Sequence, residues 1–289
     1  MKKINGRLRN LKNSNEGAAG IVVAMLLIGL FLSVIAMVQM VYVPQWMKEK
    51  EAEHMDQVAN QFLQLKSSVD TLSASEQKYN MITNPITLGS KEMPFFSSSR
   101  AYGTLDISLN DCKISIENSE KTIDLSLGSI KYSSQNAYYI SQSYTYENGA
   151  LILSQTGRDL MSIKPGFFVT ENNELVLNLV KLSDARQKNT VSGYGTYSLQ
   201  TRFLSCEKLD IYYAESITIL SSHKESWKQF LYEFLPTDTF DYTITDTVNG
   251  DGIILHFSDD GVSDAKLDFP FITVNVYDIE AQISSGWVE

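Results

Sequence analysis

Two cysteines in 289 residues are too few for a zinc site or a disulfide framework. The three histidines, His54, His223 and His256, fall in unrelated segments, and none adjoins a cysteine. There is no Gly-x-Ser-x-Gly, no glycine-rich phosphate loop and no His-Glu-x-x-His. These gaps remove the local signatures of common hydrolases, nucleotide-dependent enzymes and metalloproteases. No catalytic, cofactor-binding or metal-binding residue can be nominated, and a non-enzymatic protein without a cofactor is expected. Asn-x-Ser/Thr is missing too, so the sequence offers no N-glycan acceptor. Basic residues are outnumbered, with Lys+Arg 24 against Asp+Glu 34 and a formal net charge of −10. Such a body repels a phosphate backbone, which argues against nucleic acid as a partner.

What charge there is sits unevenly. Lys2, Lys3, Arg7, Arg9 and Lys12 open the chain, opposed only by Glu16; then nothing from Ala18 to Val43 is charged. As a helix this stretch reaches roughly 39 Å, more than the ~30 Å hydrocarbon core of a bilayer. A secretory signal has a shorter apolar run and a small-residue cleavage site after it, so a discarded signal does not fit. One membrane span is expected, with the bilayer as partner. The cationic flank keeps the N-terminus cytoplasmic and places the body outside the cell membrane, where Tyr42 and Trp46 fall at an interfacial aromatic belt.

The basic leader followed by Gly17-Ala18-Ala19-Gly20-Ile21, opening a long apolar helix, resembles the class III signal segment of archaeal type IV pilins and archaellins. The resemblance implies cleavage between Gly17 and Ala18 by a prepilin-type peptidase, with the apolar helix kept in the mature chain. It also implies pilin-like subunits as partners, and a filament subunit or a standalone envelope component as the role. An uncleaved signal anchor remains the alternative.

Pro44 predicts a kink or short break at the membrane surface. Beyond it the pattern is helical over 44–84, with Met55, Val58, Phe62, Leu65, Val69 and Leu72 in steps of three and four. That seam either packs on the protein's own strands, the favoured reading, or mediates self-association with a second copy.

From residue 85 onward the period shortens to two. Segments such as Leu105, Ile107, Leu109 and Ile123, Leu125, Leu127 alternate, and Asn148-Gly149 and Asn249-Gly250 mark tight hairpins. About ten strands imply an antiparallel β-sandwich. A short helix near 222–234 interrupts them, with Ser222 as its cap, Trp227, Phe230, Leu231 and Phe234 on one face, and Pro236 after it. The expected fold is mainly β with a long N-terminal α-helix. Its parts are a leader at 1–17, a transmembrane helix at 18–43, an amphipathic juxtamembrane helix at 44–84 and an extracytoplasmic β-sandwich at 85–289. The N-terminus, the long helix and the hairpin from Tyr144 to Gln155 together resemble a group of archaeal envelope proteins of unassigned function, which implies a cell-surface location.

Three candidate sites remain. In an exported body Cys112 and Cys206 would pair, or else stay as two thiols. Tyr138, Tyr139, Tyr144 and Tyr146 would offer a platform on which a saccharide or protein partner could stack. Asp246, Asp251, Asp259, Asp260, Asp264 and Asp268 form an acidic run, but their spacing does not fit a calcium loop, so a solvated rim is favoured.

Overall fold

A computed structural model of the chain describes residues 14–90, 101–184, 189–236, 239–257 and 270–284. It is mainly β, with one long N-terminal helical rod packed on sheets.

The rod begins with α1 (Ser14–Met37), passes through one π turn at Val38–Tyr42, and continues as α2 (Val43–Ser75). The break expected at Pro44 is absent. Tyr42 and Val43 keep right-handed helical angles, and the Val43 N–H donates to the carbonyl of Val38, five residues back. A proline inside an α-helix lacks a donor and crowds the carbonyl four residues before it. The widened turn takes up that misfit, so the rod runs on. It stops earlier than the sequence suggests, at Ser75, where Glu76 turns left-handed at φ 49°. The seam ends at Leu72, and without further apolar positions nothing holds the next turns down; Met81–Thr87 is a strand instead.

Sixteen strands are described, in three sheets. The first has the order β1 (Met81–Thr87), β12 (Thr196–Ile211), β16 (Ile272–Ser284), β10 (Leu175–Asp184) and β9 (Gly166–Val169). The second runs β11 (Thr190–Gly193), β2 (Tyr102–Ser108), β5 (Ser129–Gln135), β6 (Gln142–Glu147), β7 (Ala150–Gln155) and β8 (Arg158–Ile163). The third runs β14 (Tyr242–Asp246), β15 (Gly252–Phe257), β13 (Ala214–Leu220), β3 (Lys113–Asn118) and β4 (Thr122–Ser126). Pairing is antiparallel throughout except for β10 with β16, which is parallel.

Two cores share the first sheet, one on each face. In β16, Ile272, Val274 and Val276 enter one core, while Ile279, Ala281 and Ile283 enter the other. Alternate residues of a strand face opposite sides, so this change from even to odd numbers is a change of face. β10 switches at the same level, from Leu175, Leu177 and Leu179 to Val180 and Leu182. β12 keeps odd numbers on both sides because a bulge between Phe203 and Ser205 inserts one residue. Leu199 and Phe203 therefore face the second core, and Ile211 the first.

The second core is closed by α2, which lies on β1, β12, β6 and β7. Met55, Val58, Phe62, Leu65, Val69 and Leu72 are all buried there. Removing each such side chain from water contributes about 1.5–3 kcal/mol. The seam is thus filled by the protein's own sheets. The first core lies between the third sheet, the opposite face of the first sheet and α3 (Lys224–Phe234). α3 starts after the expected Ser222; His223 stands at the cap position without a side-chain cap bond. Trp227, Phe230 and Leu231 point inward as expected.

Candidate functional site

α1 is the feature that stands apart. Its large apolar residues are exposed on every side, Leu26 at 68% and Phe31 at 65%. The hydroxyl of Ser33, in the middle of the apolar run, is satisfied within the helix by donating to the Leu30 carbonyl at 2.7 Å. A helix of this kind satisfies its backbone internally and presents only hydrocarbon, the requirement for crossing a bilayer. Among the described residues one helix is long and apolar enough to do so. Gly17 and Ala18 lie within the first turns of α1, on the same unbroken helix as the residues that follow them.

Burial begins at Val43 and continues through Met47, Glu51 and His54. Glu51 is fully buried, and its carboxylate accepts three backbone N–H groups, from Ala137 (3.0 Å), Tyr138 (2.8 Å) and Tyr139 (2.6 Å). Successive main-chain donors turned toward one anion make a pocket for negative charge. Here α2 supplies the anion, which pins the β5–β6 loop to the rod. Three residues on, His54 Nε2 lies 3.0 Å from the Thr87 carbonyl, so that nitrogen carries the proton. Burial lowers the His54 pKa, only partly opposed by the Thr87 carbonyl and the charge of Glu51. An open polar cleft of about 340 Å³ adjoins it, lined by Lys50, Glu53, Gln57 and Tyr194 among others.

A second buried polar group ties α3 to the sheets. Glu147, at the end of β6, accepts the Trp227 indole N–H at 2.6 Å. Burial raises its pKa, against hydrogen bonds from Ser221 and Trp227 and the neighbouring His223. Cys112 hydrogen-bonds the same carboxylate; burial, then the Glu147 charge, pushes its thiol well up, away from the thiolate form. His223 Nδ1 lies 2.9 Å from Asp159. Next to Glu147, Asn148 and Gly149 take positive φ (48° and 76°), the hairpin turn expected from their sequence. The turn is buried, and Asn148 Oδ1 accepts the Val180 N–H at 3.1 Å, where β10 changes face.

The tyrosine platform is not assembled. Tyr144 (7% exposed) and Tyr146 (0%) are core residues, Tyr144 with its ring 6.1 Å from that of Phe62. Tyr139 packs on the second core, and of the four only Tyr138 is exposed. In a two-sided sheet tyrosines fill the covered face as readily as the open one. Cys112 and Cys206 are both free, Cys112 in the first core and Cys206 packed against the second, so of the two readings left open it is the pair of thiols that the structure has. Of the acidic run, Asp246 pairs with Lys224 (2.9 Å) and Lys228 (3.1 Å), and Asp251 accepts from Thr247 at 2.7 Å. Asp259, Asp260, Asp264 and Asp268 lie outside the described residues. Among the described residues no three His, Cys, Asp or Glu are grouped to hold a metal.

Glu51 and Glu147 escaped sequence reasoning. Glu51 sits at a seam position, seven residues before Val58, where a charge is unexpected unless something buried answers it. That offset was the available signal. Comparison with protein-family models, curated proteins and solved structures finds no match.

Proposed function

We propose that the chain is a single-pass surface protein of pilin-like architecture, anchored by α1 with its N-terminus cytoplasmic and its β-rich head outside the cell membrane. It acts as a filament subunit or an envelope component and carries out no catalysis. The observation that supports this reading most strongly is the exposure of α1 on all sides. Leaving about a dozen large apolar side chains in water would forgo on the order of 20 kcal/mol, more than the ~5–15 kcal/mol that holds a domain together. The orientation rests on the basic residues before α1. The cleavage reading rests on Gly17-Ala18-Ala19-Gly20 and the apolar helix that follows.

Two measurements test it. Protease added to intact cells should remove the head and leave α1 in the membrane pellet after alkaline washing; a protected head or a freely soluble chain refutes the anchor. Intact mass of the protein from native membranes should correspond to a chain beginning at Ala18; a chain that retains the leader removes the filament version and leaves the anchor.

A further inference from the structure

The length of bare rod below the head sets how high the head stands. Glu16 is the last charge before the span, and from Ala19 to Tyr42 the helix has no buried residue, Val43 being the first. From residue 18 to residue 42 the helix measures about 37 Å, against ~30 Å of hydrocarbon. Roughly 7 Å remains, about the depth of one headgroup layer, and any tilt shortens it. The underside of the head therefore lies among lipid headgroups.

Which residues form that underside follows from contacts along α2. Tyr144 lies beside Phe62, and its hairpin continues downward to the loop held by Glu51. The β5–β6 tip thus points toward α1. It carries Tyr138 (39% exposed) and Ile140 (51% exposed). β1 descends in the same direction, with Asn84 bonded to Ser68 and Thr87 to Gln61 and His54. Thr196 pairs with Thr87, so the turn just before it, bearing the exposed Tyr194, lies at the same end. Trp46 is exposed on the rod close by in sequence. Exposed tyrosines also occur elsewhere, Tyr79 and Tyr213 among them, so exposure alone singles out nothing; place does.

We propose that the β5–β6 tip and the Tyr194 turn form a foot that rests in the outer headgroup layer, with Tyr138, Ile140 and Tyr194 as its contacts. Amphipathic aromatic rings favour that layer. The three N–H bonds to Glu51 make the foot rigid, so the head is held at a fixed height and angle instead of swinging on its rod. This rests on the membrane-anchor reading above.

The test uses the full chain in phosphatidylcholine vesicles, in a Cys206→Ser background that leaves only the buried Cys112. Spin labels are placed singly at Ile140→Cys, at Ile28→Cys in α1 and at Tyr79→Cys beyond the far end of α2. Collision with oxygen, which concentrates in lipid, is compared with collision with a water-soluble nickel chelate. The label at 140 should favour oxygen several-fold relative to the label at 79, and the label at 28 more strongly still. If 28 favours oxygen while 140 behaves like 79, the foot is refuted and the anchor stands. If 28 favours the chelate, the anchor itself fails. A label at 140 shielded from both reagents means protein covers that face, and this also overturns the proposal. A circular dichroism spectrum unchanged from the parent chain confirms that each variant is folded.

Discussion

α1 and α2 are halves of one rod, yet burial runs opposite to hydrophobicity along it. The more apolar half is bare on all sides, and the more polar half hides a complete stripe. In water the order would be reversed. On the anchor reading proposed above, the two halves answer to different solvents: α2 is amphipathic because it divides water from a protein core, and α1 is uniform because a bilayer's hydrocarbon would surround it on all sides. The join is a single π turn that lets Pro44 sit in the rod without breaking it.

Substitutions on the two halves should therefore separate stability from membrane insertion. The largest effect is expected from Phe62→Ala, a fully buried ring on α2: about 3–5 kcal/mol of head stability lost in denaturant titration, with membrane partition unchanged. If Phe62→Ala instead releases the protein from membranes, the division fails. Leu27→Arg on α1 should do the converse, costing about 2.5–3.5 kcal/mol of insertion in a glycosylation-reporter assay and leaving the head's melting intact. Glu51→Ala would take the acceptor from three part-buried N–H groups and should cost about 2–3 kcal/mol, seen also as faster amide exchange at Ala137, Tyr138 and Tyr139.

Proton linkage gives a smaller effect. Burial holds the folded His54 below its ordinary 6.5, so as the pH falls the unfolded chain takes a proton first. The head should lose stability from about pH 6.5 downward and be indifferent to His54 above that. His54→Gln, which keeps a donor for the Thr87 carbonyl, should flatten that part of the profile. Smallest of all is Leu63→Ala on the outer face of α2, expected to change stability by less than about 0.5 kcal/mol, because that side chain is exposed and lies off the buried seam.

The long helix, its apolar seam, both Asn-Gly hairpins and the strand-rich body were legible because each depends on a local repeat. A step of three and four marks Met55 to Leu72, and alternation marks Ile272, Val274 and Val276. The division into two cores was also written locally, in the skipped beat between Val276 and Ile279 and in Leu179-Val180 side by side. Only pairing of β10, β12 and β16 shows that these breaks align into one change of face. The tyrosines misled because alternation says that a face exists but not which face is covered. Pro44 misled because an isolated proline penalty ignores the wider turn available beside it.

By itself the sequence determined that one helix is long and apolar enough to cross a bilayer, since an unbroken apolar run depends on composition and length alone. It likewise determined the helix seam and the strand periods, which are short-range. Tertiary structure decided the rest: that Tyr144 and Tyr146 are core, that Cys112 and Cys206 belong to different cores, and that Glu51 and Glu147 are buried clasps. A side chain's role there depends on partners 80 or more residues away, and no local pattern encodes that distance.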